Sequence, residues 1–240
     1  MRLSRIYQEQ KLFIGATLVL ERDSAHYLGR VLRLRPGDSV NLFNSEDGEF
    51  AAELIELGKN QAQLRITGPV DNQANPQLSV NLGLGLSRGE RMDYAVQKST
   101  ELGVATITPL VTERCEVRLN TERLKSRQAH WQRVAIAACE QCGRSKVPII
   151  NLPQELSEWL NERPGGLVLD ARADAALADL QIGESVNLLV GPEGGFSEEE
   201  LDSALSQDYT GIQLGPRILR TETAPIAALS VLQFLYGDLG

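Results

Sequence analysis

From Leu78 to Ser87 the chain alternates without interruption, Leu78, Val80, Leu82, Leu84 and Leu86 against Ser79, Asn81, Gly83, Gly85 and Ser87. A period of two puts the five large apolar side chains on one face, which is the pattern of a strand. The period then changes. Met92, Ala95, Val96, Ser99 and Leu102 recur three and four apart and Gly103 stops the run, so a helix follows the strand. Ala105–Leu110 reads as the next strand. Thr121–Cys142 reads as a long helix with Leu124, Trp131, Val134, Ala135 and Ala138 inward and Gly143 at its end. Strands are expected again at Gly166–Asp170, Val186–Val190 and Gly211–Leu214, and helices at Ser197–Ser206 and Thr223–Tyr236. Alternating strand and helix makes residues 78–240 an α/β domain with a mostly parallel sheet.

Residues 1–70 follow a different grammar. Thr17–Leu20, Ser39–Phe43, Glu49–Leu57 and Gln61–Ile66 read as short strands separated by turn residues, with one helix expected over Ser24–Leu34. Strands, tight turns and a single helix suggest a small barrel. Residues 71–77 carry no large apolar side chain and read as a linker. Charge is uneven as well. The first 36 residues hold seven basic and three acidic side chains in a chain whose net charge is −8, a localised basic segment that points to an anionic partner. No stretch approaches the ~20 apolar residues of a membrane span, and the polar start lacks the apolar run of a secretory signal. Cys115, Cys139 and Cys142 read as reduced thiols of a cytoplasmic protein, too few with two distant histidines for a metal site.

Ligands of open α/β sheets bind beyond the carboxyl ends of the strands, and two such ends here are unusual. Leu188–Val190 runs into Gly191-Pro-Glu-Gly-Gly-Phe196, and Ser197 then caps a helix opening on Glu198, Glu199 and Glu200. The glycines allow close backbone approach, while three glutamates would repel a phosphate at that helix start. The loop therefore suits a ligand read by backbone hydrogen bonds, such as an adenosine without phosphates. Neither of the glycine patterns of dinucleotide and triphosphate sites occurs at these strand ends. The second loop, Gly215–Thr223, sets Arg217, Arg220 and Glu222 before an apolar helix, where the arginine and the glutamate are expected to pair.

Together, Leu189-Val-Gly-Pro-Glu-Gly-Gly-Phe-Ser197 and Leu214-Gly-Pro-Arg-Ile-Leu-Arg-Thr-Glu-Thr-Ala224 resemble the signature of the 16S ribosomal RNA uracil-N3 methyltransferases, within the SPOUT superfamily. The resemblance extends along the chain. His26–Arg33 and Arg35-Pro-Gly-Asp38 are similar to that family's N-terminal PUA-like domain. Arg88–Met92, Lys98–Val104, Pro109 with Thr112–Arg114, and Glu140–Arg144 with Pro148 are similar to its middle motifs. Arg88 stands where lysine is common and Cys142 where serine is common.

The resemblance implies a deep trefoil knot in the C-terminal α/β domain, a PUA-like RNA-binding barrel before it, and a homodimer acting on 16S rRNA of the small ribosomal subunit in the cytoplasm. It implies S-adenosylmethionine as cofactor, with neither metal nor membrane involved. Leu189, Val190, Gly191, Pro192, Gly194, Gly195, Leu214, Gly215, Leu219, Thr223 and Ala224 would hold the cofactor. Arg220 would support the negative charge developing on the uracil; Glu222 would either orient Arg220 or take the N3 proton. Arg2, Arg5, Arg30, Arg33 and Arg217 would contact RNA, with Arg30 and Arg33 sharing a helix face. Asp170 is read as a ribose or sulfonium contact or as a helix cap, His26 as a packed or turn-anchoring residue and His130 as surface. A ribosome-assembly factor without catalysis, and a methyltransferase of ribose oxygen or transfer RNA, are the other classes that this sequence leaves open.

Overall fold

The computed structural model describes residues 4–72, 74–115 and 121–240. It divides into two compact units, Met1–Asn75 with Cys139–Val147, and Pro76–Ala138 with Pro148–Gly240. The change of unit at Asn75 falls within the stretch read as a linker; residues 139–147 joining the first unit is a long-range association that no local pattern encodes.

In the first unit, β1 (Arg5–Tyr7), β2 (Thr17–Leu20), β3 (Ser39–Asn44), β4 (Gly48–Leu57) and β5 (Ala62–Val70) form one sheet in the order β1-β3-β4-β5-β2. β1 lies parallel to β3; the other pairings are antiparallel. Alternate residues such as Leu18, Leu20, Val40, Leu42, Leu54, Leu64 and Ile66 point into a single core. Two irregularities between β4 and β5 bend the sheet around it. β1 has only three residues, too short to show a period, and was not anticipated.

The helix expected over 24–34 starts two residues earlier and stops at Val31. α1 (Arg22–His26) continues into a wide turn over Tyr27–Val31 in which the Leu32 N–H reaches back five residues to the Tyr27 carbonyl at 3.0 Å. Leu34 N–H then bonds the Leu28 carbonyl at 3.0 Å, with Arg33 in the left-handed conformation at φ +55. This ending brings Leu28, Leu32 and Leu34 to the core. Arg33 lies past the helix, so the three-residue spacing does not give it a helix face in common with Arg30.

The second unit contains β6 (Ser79–Gly85), α2 (Glu90–Glu101), β7 (Val104–Val111), α3 (Thr121–Cys142), whose last turn belongs to the first unit, β8 (Ile149–Ile150), β9 (Gln154–Glu155) and α4 (Leu156–Glu162). It continues through β10 (Gly166–Leu169), β11 (Ala175–Ala176), β12 (Ser185–Val190), α5 (Glu198–Ser206), β13 (Tyr209–Gln213) and α6 (Thr223–Tyr236). The sheet runs β11-β13-β10-β12-β6-β7-β8, with β9 also beside β7, and every pairing is parallel. Leu110, Val168 and Leu189 pack against Trp159 and Leu160 of α4 and Leu201 and Ala204 of α5. α2 and α6 pack on one another, and α6 on β6. Asp93 joins α2 to α3, accepting from Trp131 Nε1 at 3.0 Å and lying 2.9 Å from His130 Nε2. No helix among the described residues is long and apolar enough to cross a membrane, and no disulfide joins the three cysteines.

Candidate functional site

Parallel strands deliver their carboxyl ends to one edge, and β10, β12 and β13 are neighbours there. The segments that leave them, starting at Asp170, Gly191 and Leu214, enclose a cavity of about 430 Å³. That size suits a small organic ligand. Val190, Gly191, Pro192, Gly195, Leu214, Gly215, Leu219 and Ala224 line it, as does Arg217. Leu189 does not; it is fully buried in the core under the loop. Thr223 is exposed and also off the wall, as is Gly194.

The two loops are fastened to each other and to the sheet. Thr221 Oγ1 donates to the Gly191 carbonyl at 2.8 Å, and Thr221 is almost wholly buried. Gly195 and Gly215 lie at φ +67 and +75, where a side chain would strain the backbone. At the end of β6, a Cβ on Gly85 would sit 2.3 Å from Pro192 N, so only glycine lets the first loop cross that strand end. Gly194 is small for a different reason from the expected one. Its missing Cβ would stand 2.9 Å from Arg114 Cβ, so it accommodates a neighbouring side chain rather than a ligand.

Arg114 itself was missed in sequence. The segment after β7 brings it to the cavity wall, where Nη1 donates to the Gly194 carbonyl at 3.1 Å. The first loop, which has no cation of its own, thus acquires one from 80 residues away. Glu200 ties the same segments: its carboxylate accepts from Ser197 N–H at 2.9 Å, completing a capping box, and from Glu113 N–H at 2.8 Å. Only Ser197 followed by Glu200 was a legible signal of this arrangement.

The expected pairing of Arg220 with Glu222 is not formed: among the described residues no ion pair joins them. Arg220 is exposed, and Glu222 keeps one buried carboxylate oxygen, Oε2, without a hydrogen-bond partner. Neither lines the cavity, but they fall between Leu219 and Ala224, which do. Asp170 lines it and caps no helix; it folds a turn, accepting from Arg172 N–H at 3.0 Å, and pairs with the Arg172 side chain. The charged rim thereby combines Asp170, Glu193 and Glu198 with Arg114, Arg172 and Arg217.

The expected RNA contacts separate. Arg2 lies outside the described residues. Arg30 and Arg33 are exposed, as is His26, which is therefore not packed. Arg5 is withdrawn from the surface: it is 6% exposed, its Nε and Nη2 donate to Glu49 at 3.0 and 2.9 Å, Nη1 donates to the Cys139 carbonyl, and Nη2 also donates to the Arg144 carbonyl. With four of its five N–H donors spent inside the fold, this guanidinium is not a surface cation free to meet a phosphate. Among the described residues, no group of three or more His, Cys, Asp or Glu side chains is placed to hold a metal ion.

The mixture of backbone-lined loops, an apolar floor and rim charges of both signs fits a nucleoside carrying an amino-acid tail. Comparisons with known proteins agree with it. An RNA methyltransferase domain model matches residues 73–233 and an RNA methyltransferase PUA domain model matches residues 20–67. The ribosomal RNA small subunit methyltransferase E of Buchnera aphidicola is 35% identical over 99% of this chain and 98% of its own. A Legionella pneumophila protein described as a methyltransferase, solved with bound SAM, matches with a TM-score of 0.95 and 40% identity over the whole of both chains. The ribosomal RNA small subunit methyltransferase E of Neisseria gonorrhoeae, solved with S-adenosylmethionine, matches with a TM-score of 0.94 and 35% identity, again over both chains entirely. This chain belongs to the RNA methyltransferase family, among the members named ribosomal RNA small subunit methyltransferase E.

Proposed function

We propose that the chain methylates N3 of a uridine in 16S ribosomal RNA of the small subunit, with S-adenosylmethionine as donor, in the cytoplasm and as a homodimer. The observation that carries this reading is the cavity where three adjacent parallel strands end, walled by the Gly191–Phe196 and Gly215–Leu219 segments. The reading includes a trefoil knot in the second unit. A second copy is supported by α6, where Val231, Phe234 and Leu235 form an exposed apolar stripe at helical spacing.

The cofactor, when bound, supplies an electrophilic methyl group on a sulfonium. The protein's own work is then to place the acceptor in line with that methyl group and to manage one proton. Backbone groups of Gly191, Leu214, Gly215 and Leu219 hold the adenosine part, with Val190, Pro192 and Ala224 beside them; Asp170, which lines the same cavity, contacts the ribose. A neutral uracil N3 is a poor nucleophile because it carries a proton. Glu222, in the segment between the cavity-lining Leu219 and Ala224, is the acceptor assigned to that proton. Arg220 stabilises the negative charge that the base acquires. With no ion pair between them, the two act separately, and Glu222 is the proton acceptor rather than the orienter of Arg220. Arg30, Arg33 and Arg217 contact RNA.

The test is to map modified nucleosides by mass spectrometry in ribosomal RNA from cells with and without the gene. Loss of 3-methyluridine is expected. Loss of a ribose methylation instead would move the chain to another specificity. No change in rRNA, with no S-adenosylmethionine bound by the purified protein, would make it an assembly factor.

A further inference from the structure

Ile218 is 90% exposed, more than any other large apolar side chain among the described residues, where Phe234 follows at 63%. It stands on the rim of the cavity, two residues before Arg220 and next to Arg217, both exposed. The crest that carries it is fixed at both ends. Gly215 turns the chain at φ +75. At the far end Thr221 is bonded to Gly191, and the N–H groups of Thr223 and Ala224 both donate to the Arg220 carbonyl at 2.9 Å. An aliphatic side chain on a segment anchored at both ends is thus exposed to water between two cations in the sequence.

That combination selects its partner. The cations call for an anion, the aliphatic group between them for a flat apolar face, and nucleic acid offers phosphate and base face side by side. N3 of uracil lies on the pairing edge, so the target base has to be unpaired and turned out of its stack to reach the cavity. Turning it out exposes the face of its neighbour. We propose, on the basis of the RNA methyltransferase reading of the site, that Ile218 packs on the base adjacent to the target uridine and holds the opened stack. Arg217 then meets the neighbouring phosphate, and Arg220 the target base.

The experiment compares wild type, Ile218→Ala and Ile218→Leu on small ribosomal subunits that lack the modification, with saturating S-adenosylmethionine. Ile218→Ala lowers kcat/KM for the subunits about tenfold, the scale of one aliphatic side chain's burial, and Ile218→Leu restores most of it. Affinity for S-adenosylmethionine, melting temperature and oligomeric mass stay at wild-type values in both. Equal kcat/KM for Ile218→Ala and wild type would overturn the proposal while leaving the site reading intact. A fall accompanied by loss of the dimer would also overturn it, because Ile218 would then cover a second copy of the chain. Wild-type protein that binds S-adenosylmethionine yet methylates no rRNA would overturn the site reading, and this proposal with it.

Discussion

Glu49 in the first unit and Glu222 in the second both bury carboxylate oxygen, and their surroundings are opposite. Glu49 Oε1 accepts from Arg5 Nε at 3.0 Å and Asn41 Nδ2 at 2.7 Å; Oε2 accepts from Arg5 Nη2 at 2.9 Å and from Asn72 Nδ2. Burial pushes its pKa up, but the Arg5 and Asn41 donors prevail and hold the carboxyl below its ordinary value. Glu222 Oε2 has the burial and none of the donors. A buried acceptor left open is uncommon in folded proteins and calls for an explanation. Glu49 is completed by the fold, whereas Glu222, proposed above as the proton acceptor, keeps an oxygen that the fold does not complete.

The largest effect that separates the two is expected from Glu222→Gln. An amide keeps the shape and cannot take a proton, so methyl transfer falls by about 10²–10⁴-fold. Cofactor affinity and melting temperature are retained, since the amide has the same shape and Oε2 has no hydrogen bond to lose. Calorimetric binding and a thermal melt on the same preparation check both halves. A melting temperature that drops, with turnover per folded molecule preserved, would make Glu222 structural and erase the contrast.

For Glu49 the expectation is reversed. Glu49→Ala strands the buried Arg5 guanidinium and lowers stability by about 3–5 kcal/mol in a urea titration. The acid dependence follows from the same pair. Because the folded-state pKa lies below the unfolded one, the contribution is fully present above the ordinary carboxylate value of 4.5 and is lost as pH falls through the folded value. Glu140 opposes this: burial raises its pKa despite the hydrogen bond from Tyr7 N–H, so its protonation favours the fold as pH falls. Stability of the wild type should therefore decline below about pH 4.5 more steeply than that of Glu49→Ala. Parallel curves for the two proteins would show that the pair is not the source of the decline.

This contrast also marks how far the sequence could be read. Periodicity located the strands at Thr17–Leu20 and Val186–Val190 and the helices over Thr121–Cys142 and Thr223–Tyr236, because one face of each is buried and side chains record that face. The first loop stood out by its glycines and the second by Arg217, Arg220 and Glu222 before an apolar helix, and most of the residues assigned to the cofactor line one cavity. Partnership was not legible. Arg5 looked like a surface cation, yet its acceptors Glu49, Cys139 and Arg144 lie 44 or more residues away. Arg220 and Glu222 looked paired because they are close in sequence, yet the turn that starts α6 leaves them unjoined. Arg114 reaches Gly194 across 80 residues. Local pattern fixes elements through burial; which charges meet depends on which strands become neighbours, and that is decided by the whole sheet.

The smallest effect concerns what keeps Glu222 in place. Thr221 precedes it, is buried, and spends its hydroxyl on the Gly191 carbonyl at 2.8 Å. Thr221→Val preserves volume and removes that donor, leaving a carbonyl of the first loop unsatisfied. The cost is about 1 kcal/mol, or roughly 2–4 °C in melting temperature for a chain of this size. Because the bond joins the two loops, the variant should also bind S-adenosylmethionine several-fold more weakly and show a lower kcat, as Glu222 loses its fixed position. Thermal melts, calorimetry and single-turnover methylation read the three quantities separately. A change in stability with binding and turnover intact would mean that Glu222 holds its position without this tie, and that the open carboxylate is set by α6 rather than by the loops.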